Sequence, residues 1–315
     1  MTSLNATVGT ASHEALNILY QHRLATTGQL RRLLTPDTTN RQYIWRVLDR
    51  LRKHRLVESI NATEQGRHPH CWFLSSAGAD AVEQEGSVPV RRYRMTRDRA
   101  AGPLQRHSLA VTEVGVLMFE DARRRGDSFG PLSWIPEVAH RFQQGESAGD
   151  ANDTHVISDA LVHYTRVNPS GSRTQLQSFL ELDRATMPVH RLAAKLVSYA
   201  RYYDHTPLPE PRRRRRAAQG QGVIAPAWTR RYPRFPRILV VLDGARPELQ
   251  EDRRWDLASF VDNVPYLTEP RHGFDIGCAT MHDLATQGPN APIWSHILSS
   301  DPTALTDFQL RKRND

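Results

Sequence analysis

Three acidic residues on two neighbouring apolar stretches of the chain could carry chemistry: Asp159, Glu181 and Asp183. Side chains of a β-strand repeat with a period of two, so Glu181 and Asp183 share one face of their strand. If the strand with Asp159 pairs alongside, the three carboxylates converge, and such a cluster normally requires a divalent cation. Oxygen ligands favour Mg²⁺ or Mn²⁺ over Zn²⁺. The alternative is that these acids face solvent or pair with nearby arginines, which are Arg184, Arg191 and Arg201.

The sequence around the acids predicts a pair of strands followed by a helix. Aliphatic and β-branched residues predict strands over 156–162 and 176–182, with a turn at 169–171 between them. After Pro188, apolar residues recur at three- and four-residue spacing, which predicts an amphipathic helix; they are Val189, Leu192, Leu196 and Tyr199.

This order of residues resembles the PD-(D/E)xK nuclease core. In that core an acid is followed at a distance by E-x-D/K on the adjacent strand, and then by a helix with a lysine. More narrowly, ELDRAT followed by RLAAKLVSYARYY, after a basic helix-turn-helix, is similar to the replication-relaxation family of mobile-element proteins, which is related to MobC-type relaxases. The resemblance spans roughly residues 12–285. It implies an N-terminal winged helix-turn-helix followed by a restriction-endonuclease-like α/β domain.

The chain departs from the nuclease pattern at two positions. Ser158 stands where the motif has proline, and Asp183 stands where it has lysine. Lys195 could supply the missing amine from the following helix, as a migrated lysine. If it does, the resemblance implies a catalytic set of Asp159, Glu181, Asp183 and Lys195. If Lys195 points away, the site binds metal without cutting.

Two further acids are candidate metal ligands. Glu113 lies on a helix predicted from Leu104 to Arg125, and Glu137 lies on a strand predicted from Leu132 to Phe142. Glu113 could equally be exposed to solvent, and Glu137 could form a salt bridge to Arg141.

Tyrosines on the helix after Pro188 could serve a relaxase as nucleophile, but tyrosines at that spacing are typical of a core. These tyrosines are Tyr199, Tyr202 and Tyr203.

The N-terminal region predicts three helices and a β-hairpin, which is the order of a winged helix. The first helix covers His13–His22, the second begins with Thr27 as N-cap, and the third covers Asn40–His54. Strands at Leu56–Ile60 and His70–Leu74 enclose a tip at Glu64–Arg67. The third helix of such a domain enters the major groove of DNA. The predicted DNA contacts are Arg41, Gln42, Arg46, Arg50, Lys53 and Arg67. Alternatively, the domain contacts protein and these arginines are a solvated face.

The composition fits a globular protein with a polyanionic partner. The 315 residues are 39% hydrophobic, the net charge is +8 and the pI is about 9.9. Of the 42 basic residues, 39 are arginine, a bias that a GC-rich genome also produces, so clusters are more informative than the total.

The strongest cluster of basic residues is a run of five consecutive arginines framed by proline and glycine. Such a run repels itself until it meets an anion, so it predicts an arm that contacts the DNA backbone. The alternative is a plain insertion loop. The predicted DNA contacts in this arm are Arg212, Arg213, Arg214, Arg215 and Arg216.

Other classes of protein find little support in the sequence. There is no apolar run of membrane-spanning length, no secretory signal and no nucleotide-binding motif. Cys71 and Cys278 are too far apart to predict a disulfide framework or a zinc site, so we expect a cytoplasmic protein.

The last third of the chain completes the predicted α/β domain. Arg237–Asp243 predicts an interior strand, Leu249–Val264 a helix, Phe274–Thr280 an edge strand and Met281–Ala285 a short helix. The predicted organisation is a flexible tail (1–11), a winged helix (12–84), a basic linker (85–103), a nuclease-like α/β domain (104–288, with an arginine-rich insertion at 207–222) and a C-terminal tail (289–315).

Two functional hypotheses follow from these residues. The first is a relaxase-like, Mg²⁺- or Mn²⁺-dependent enzyme that nicks double-stranded DNA in the transfer or replication of a mobile element. The second is a non-catalytic DNA-binding protein, a regulator or replication accessory, with a degenerate nuclease fold. Other transfer or replication proteins, or a second copy of the chain, are expected as further partners.

Overall fold

The computed structural model divides the chain into two compact units, Met1–Pro136 and Glu137–Asp315. It describes residues 9–61, 69–86, 88, 90–91, 93–141, 155–206, 225–244, 246–264, 267, 275–297 and 302–307. Both units combine helices with a β-sheet, so the fold class is mixed α and β.

The first unit has the predicted order of three helices followed by a hairpin. Its elements are α1 (Thr10–His22), β1 (Ala25–Thr26), α2 (Thr27–Leu34), α3 (Gln42–Lys53), β2 (Val57–Asn61), β3 (His70–Leu74), α4 (Ser76–Gln84), α5 (Arg97–Ala101) and α6 (Gln105–Arg125). The strands form an antiparallel sheet in the order β1-β3-β2, and Val57 pairs with Leu74. The predicted hairpin tip, Glu64–Arg67, lies outside the described residues.

The N-cap of the second helix lies one residue earlier than predicted. Thr26, and not Thr27, is the N-cap of α2, and its hydroxyl accepts from the Gln29 amide at 3.1 Å. The Gln29 side chain accepts from the Thr26 amide in return, which completes a capping box. Thr27 instead accepts a hydrogen bond of 2.9 Å from the indole of Trp72.

Helix α6, predicted to open the nuclease-like domain, belongs to the first unit. Gln29 of α2 donates to the Leu109 carbonyl at 2.9 Å, and Arg32 donates to Glu120 at 2.7 Å. These contacts tie α6 to α2, so the first unit extends well beyond the predicted boundary at residue 103. The predicted linker also contains structure, since α5 is capped by the Thr96 hydroxyl.

The division between the units falls within the strand β4. Strand β4 covers Trp134–Arg141, and its residues from Glu137 onward belong to the second unit. The other elements of the second unit are β5 (His155–Val167), β6 (Arg173–Asp183), α7 (Val189–Asp204), a 3₁₀ turn (Ala227–Arg230), β7 (Arg237–Leu242), α8 (Pro247–Asp262), β8 (Ile276–Thr280), α9 (Met281–Thr286), β9 (Trp294–His296) and β10 (Pro302–Thr303). Within the described residues the sheet order is β10-β9-β8-β7-β6-β5-β4.

The sheet combines an antiparallel hairpin with a parallel centre. Strands β5 and β6 are antiparallel, whereas β6, β7 and β8 run parallel. Strand β8 was predicted at an edge but lies inside the sheet, because β9 from the predicted C-terminal tail pairs with it. Short strands with little periodicity gave no sequence signal for this extension.

Helices α7 and α8 cover one face of this sheet. Leu196 and Tyr199 of α7 share a buried cluster with Leu257 and Val261 of α8, and Phe179 of β6 packs into the same cluster. No helix in the described part of the chain is long and apolar enough to span a membrane.

Candidate functional site

Three elements of the second unit bring the central acids together. Ala160 of β5 pairs with Leu180 of β6, so Asp159 and Glu181 are the next residues to face each other across the hairpin. Helix α7 crosses the same face, because the ring of Tyr199 stacks on Phe179 with centroids 5.1 Å apart. Two acids on adjacent strands therefore lie beneath one helix.

Lys195 of α7 points inward and contacts both carboxylates. Its Nζ is 3.0 Å from Oδ1 of Asp159 and also forms an ion pair with Oε2 of Glu181. About 29% of the Lys195 side chain is exposed, whereas that of Glu181 is buried. The cluster thus reaches solvent on the lysine side.

Each carboxylate has its other oxygen held by the protein. Oδ2 of Asp159 accepts from the backbone amide of Leu182 at 2.8 Å. Oε1 of Glu181 accepts from the hydroxyl of Tyr199 at 2.5 Å. One oxygen of each acid is therefore fixed, and the remaining oxygen of each meets the ammonium group of Lys195.

Burial and charge shift the titration of three groups in this cluster. Burial raises the pKa of Glu181 to about 8, and the opposite charge of Lys195 limits that rise. Burial by itself lowers the pKa of Lys195, but Glu181 and Asp159 raise it overall above its ordinary value. Burial together with Glu181 raises the pKa of Tyr199, so the phenol stays protonated and acts as donor.

Asp183, predicted as a third ligand, shares the face of Glu181 but is engaged elsewhere. Both of its oxygens accept from Arg253 of α8, one of them at 2.9 Å. The same guanidinium donates to the Met187 carbonyl at 2.6 Å. Arg253 thus fastens α8 to the end of β6 and to the turn before α7, and the three predicted carboxylates do not meet at one point.

The two other predicted metal ligands lie on α6 and β4. Glu113 is in the first unit, where it accepts from Gln29 at 3.0 Å and pairs with Arg32. Glu137 is exposed on β4 with a positive φ of 53°. Over the described ranges, no three His, Cys, Asp or Glu side chains are close enough to hold a metal ion by themselves.

The predicted DNA-contacting residues of the third helix project from the first unit. They lie at the N-cap of α3 and along its exposed side, and they are Arg41, Gln42, Arg46, Arg50 and Lys53. The opposite side of α3 is buried, and its buried residues are Ile44, Val47, Leu48 and Leu51.

The other predicted DNA contacts, at the hairpin tip and in the arginine-rich insertion, lie outside the described residues. The structure therefore does not place them beside α3 or beside the acidic cluster, and their DNA contacts stay predictions. They are Arg67, Arg212, Arg213, Arg214, Arg215 and Arg216.

Sequence reasoning missed two groups that shape the site. Tyr199 was considered as a core residue or a nucleophile, but its spacing of four from Lys195 places both on one side of α7 and could have indicated a shared partner. Arg253 had no local signal, because its partner Asp183 lies 70 residues earlier in the chain.

The comparisons with known proteins point to one family. No curated protein matches the chain. Two solved structures of ZitR from Lactococcus lactis, a C30AH42A mutant and the same mutant in apo form, are 18% identical and cover 25% of this chain with a TM-score of 0.21. The alignments span only 51% and 56% of those ZitR chains. The replication-relaxation family model matches residues 16–214, a range that runs from within α1 to beyond the end of α7, and the chain therefore belongs to the replication-relaxation family.

Proposed function

We propose that this protein binds double-stranded DNA through its first unit and nicks one strand at the Asp159–Glu181–Lys195 cluster with the help of a divalent metal ion. The observation that carries the proposal is the pair of carboxylates on adjacent strands, each with one oxygen fixed and the other directed at the same lysine. Family membership supports a role in replication or mobile-element processing.

The donor set of the cluster fits Mg²⁺ or Mn²⁺. Magnesium in phosphate-processing sites is commonly bound by only one or two carboxylates, with water and substrate phosphate as the other ligands. Asp159 and Glu181 supply two such oxygens, Oδ1 and Oε2, which both face Lys195. A metal ion would compete with the Lys195 ammonium for these oxygens, so metal binding requires the lysine to give way at one of them.

A metal ion in such a site polarises the phosphate and lowers the pKa of a bound water. The role of the chain is to hold that ion through Asp159 and Glu181 and to offset the negative charge that develops on the phosphate through Lys195. Tyr199 fixes Glu181 and is fully buried, and Tyr202 is buried as well, so both are poorly placed to attack a phosphate. Tyr203 is half-buried and stacks on Trp228. The arrangement therefore favours water as the nucleophile.

The winged-helix interpretation of the first unit supplies the DNA-binding part of the proposal. Helix α3 buries its apolar side within the first unit and carries Arg46, Arg50 and Lys53 on its exposed side. Its first turn has no acidic residue and its last turn is basic. A helix of this kind, followed by a hairpin, suits the major groove with phosphates on either side.

The test is conversion of a supercoiled plasmid to the open circle. The plasmid carries the DNA upstream of the protein's own gene, and the reactions contain Mg²⁺, Mn²⁺ or a chelator. We expect metal-dependent nicking by the wild type and its loss in Asp159→Ala, Glu181→Ala and Lys195→Ala. Asp256→Ala, which removes an exposed acid on α8, is the matched control and should nick normally.

A non-catalytic DNA-binding protein is the second candidate. It is favoured by Asp183, which replaces the lysine of the nuclease pattern and is fully engaged by Arg253. Plasmid binding by the wild type without nicking under any metal condition would establish this second function and reject the first.

A further inference from the structure

Two aromatic side chains flank the outer side of α3 and remain partly exposed. Tyr43 is 46% exposed and Trp45 is 37% exposed, although the helix buries four aliphatic residues on its inner side. With 100° between successive residues, Tyr43 and Trp45 lie on opposite edges of the stripe formed by Gln42, Arg46 and Lys53. Large exposed aromatics beside a polar stripe are typical of a contact surface.

The ring of Trp45 is held in place by the hairpin. It packs edge-on against His70 at 5.0 Å and against Trp72 at 5.5 Å, with interplanar angles of 80° and 83°. Trp72 is itself fully buried and donates to the Thr27 hydroxyl at 2.9 Å. The exposed part of Trp45 is therefore presented in a fixed orientation, which lowers the cost of ordering it on binding.

The charge around this edge selects an anionic partner. Arg41 and Arg52, four residues before and seven residues after Trp45 on the helix, are exposed, and the acid on this side, Asp49, is already paired with Arg52 and Lys53. An apolar ring within such a basic face needs a partner that is negatively charged yet carries an apolar group. In the major groove of duplex DNA that group is the C5-methyl of thymine.

We propose that Trp45 contacts a thymine methyl group in the major groove and makes α3 prefer A·T base pairs. Gln42 lies three residues before Trp45 on the adjoining part of the helix surface. A glutamine side chain can pair with N6 and N7 of adenine. Gln42 would therefore recognise the adenine of an A·T pair, and Trp45 would recognise a thymine. This inference rests on the DNA binding proposed above and is independent of nicking.

The experiment compares thymine with deoxyuridine, which pairs identically but lacks the methyl group. A duplex selected for binding from a random pool is prepared in both forms, and its affinity for the full chain is measured by fluorescence anisotropy at fixed salt. Because one methyl contact is worth about a fourfold change in affinity, we expect the wild type to bind the deoxyuridine duplex at least about fourfold more weakly. Trp45→Ala should bind both duplexes equally.

Two further variants separate the contact from a loss of folding. Trp45→Phe keeps an aromatic ring beside His70 and should retain part of the discrimination. Trp255→Ala removes a tryptophan of the second unit that is 59% exposed, and it should discriminate as the wild type does.

The outcomes distinguish this inference from the proposed function. Equal wild-type affinity for the two duplexes would overturn the thymine contact and leave DNA binding intact. Discrimination that persists in Trp45→Ala would assign the methyl contact to another residue and also overturn it. A wild-type protein that binds no duplex at any salt concentration would overturn DNA binding and this inference together.

Discussion

Lys195 and Tyr199 lie one helical turn apart on α7 and engage opposite oxygens of Glu181. The ammonium group pairs with Oε2, and the phenol donates to Oε1 over 2.5 Å. A single helix therefore fixes both the orientation and the charge balance of a buried carboxylate. The two contacts can be removed separately, which makes their contributions measurable.

Tyr199→Phe should destabilise the second unit without disturbing its packing. The ring stack on Phe179 is kept, but Oε1 of Glu181 loses its donor inside the protein. A buried acceptor left without a partner costs about 1–3 kcal/mol. Urea unfolding of the variant measures the loss, and Tyr202→Phe, on the same helix and also buried, should be close to neutral. Equal losses in the two variants would contradict the specific role of Tyr199.

Lys195→Met should have a larger effect, because it removes the cation that both acids share. Breaking a buried ion pair from one side costs about 3–5 kcal/mol. The double variant Lys195→Met/Glu181→Gln should lose less than the sum of the two single variants. Urea unfolding of all four proteins at pH 7 gives the coupling, and strict additivity would show that Lys195 and Glu181 do not interact.

The contribution of Glu181 to the stability of the folded state should fall as the pH rises toward 8. The pKa of Glu181 is about 8 in the folded protein, whereas its ordinary value is 4.5, so the folded state keeps a proton that the unfolded state has released. Between these values the group lowers the free energy of unfolding by at most about 1.4 kcal/mol per pH unit.

The difference between wild type and Glu181→Gln isolates this contribution. The window from pH 6.5 to 8 is the most useful, because the buried His22 and His140, with pKa values of about 4, are neutral there. We expect the wild type to lose stability relative to the variant across this window. Parallel pH profiles would show that Glu181 titrates normally.

Asp183→Asn should leave metal binding unchanged. Arg253 engages both oxygens of Asp183, so this residue is not available to an ion held by Asp159 and Glu181. Isothermal titration with Mn²⁺ should show wild-type affinity for Asp183→Asn and at least about tenfold weaker binding for Asp159→Asn, since each lost factor of ten corresponds to about 1.4 kcal/mol. Equal weakening by both variants would restore Asp183 as a ligand.

Gly115→Ala should destabilise the first unit, although alanine is normally the better helix former by about 1 kcal/mol. A Cβ at this position of α6 would lie 2.2 Å from Cε2 of Trp134, which is buried. Gly28→Ala on α2 is the control, because its Cβ would meet only the Thr26 hydroxyl oxygen at 3.7 Å. Thermal unfolding should show a lower midpoint for Gly115→Ala alone.

The central strands and helix of the second unit could be predicted because their signals are local. Alternation along β6 placed Glu181 and Asp183 on one face, and apolar spacing placed a helix after Pro188, where α7 begins. The partners of those acids were less accessible. Arg253 reaches Asp183 from α8, and β8 becomes an interior strand only through pairing with β9. Both relationships depend on tertiary packing.

The family match ends at residue 214, but β6 lies between β5 and β7, and β7 begins only at Arg237. A fragment cut at the end of the match would expose the main-chain donors and acceptors by which Ser178–Asp183 of β6 pair with β7. It would also lose α8, which covers part of the apolar face of the sheet. Open strand edges of this kind pair with other chains, so such a fragment should aggregate. The limits of the family match are therefore unsuitable as the ends of a fragment for expression.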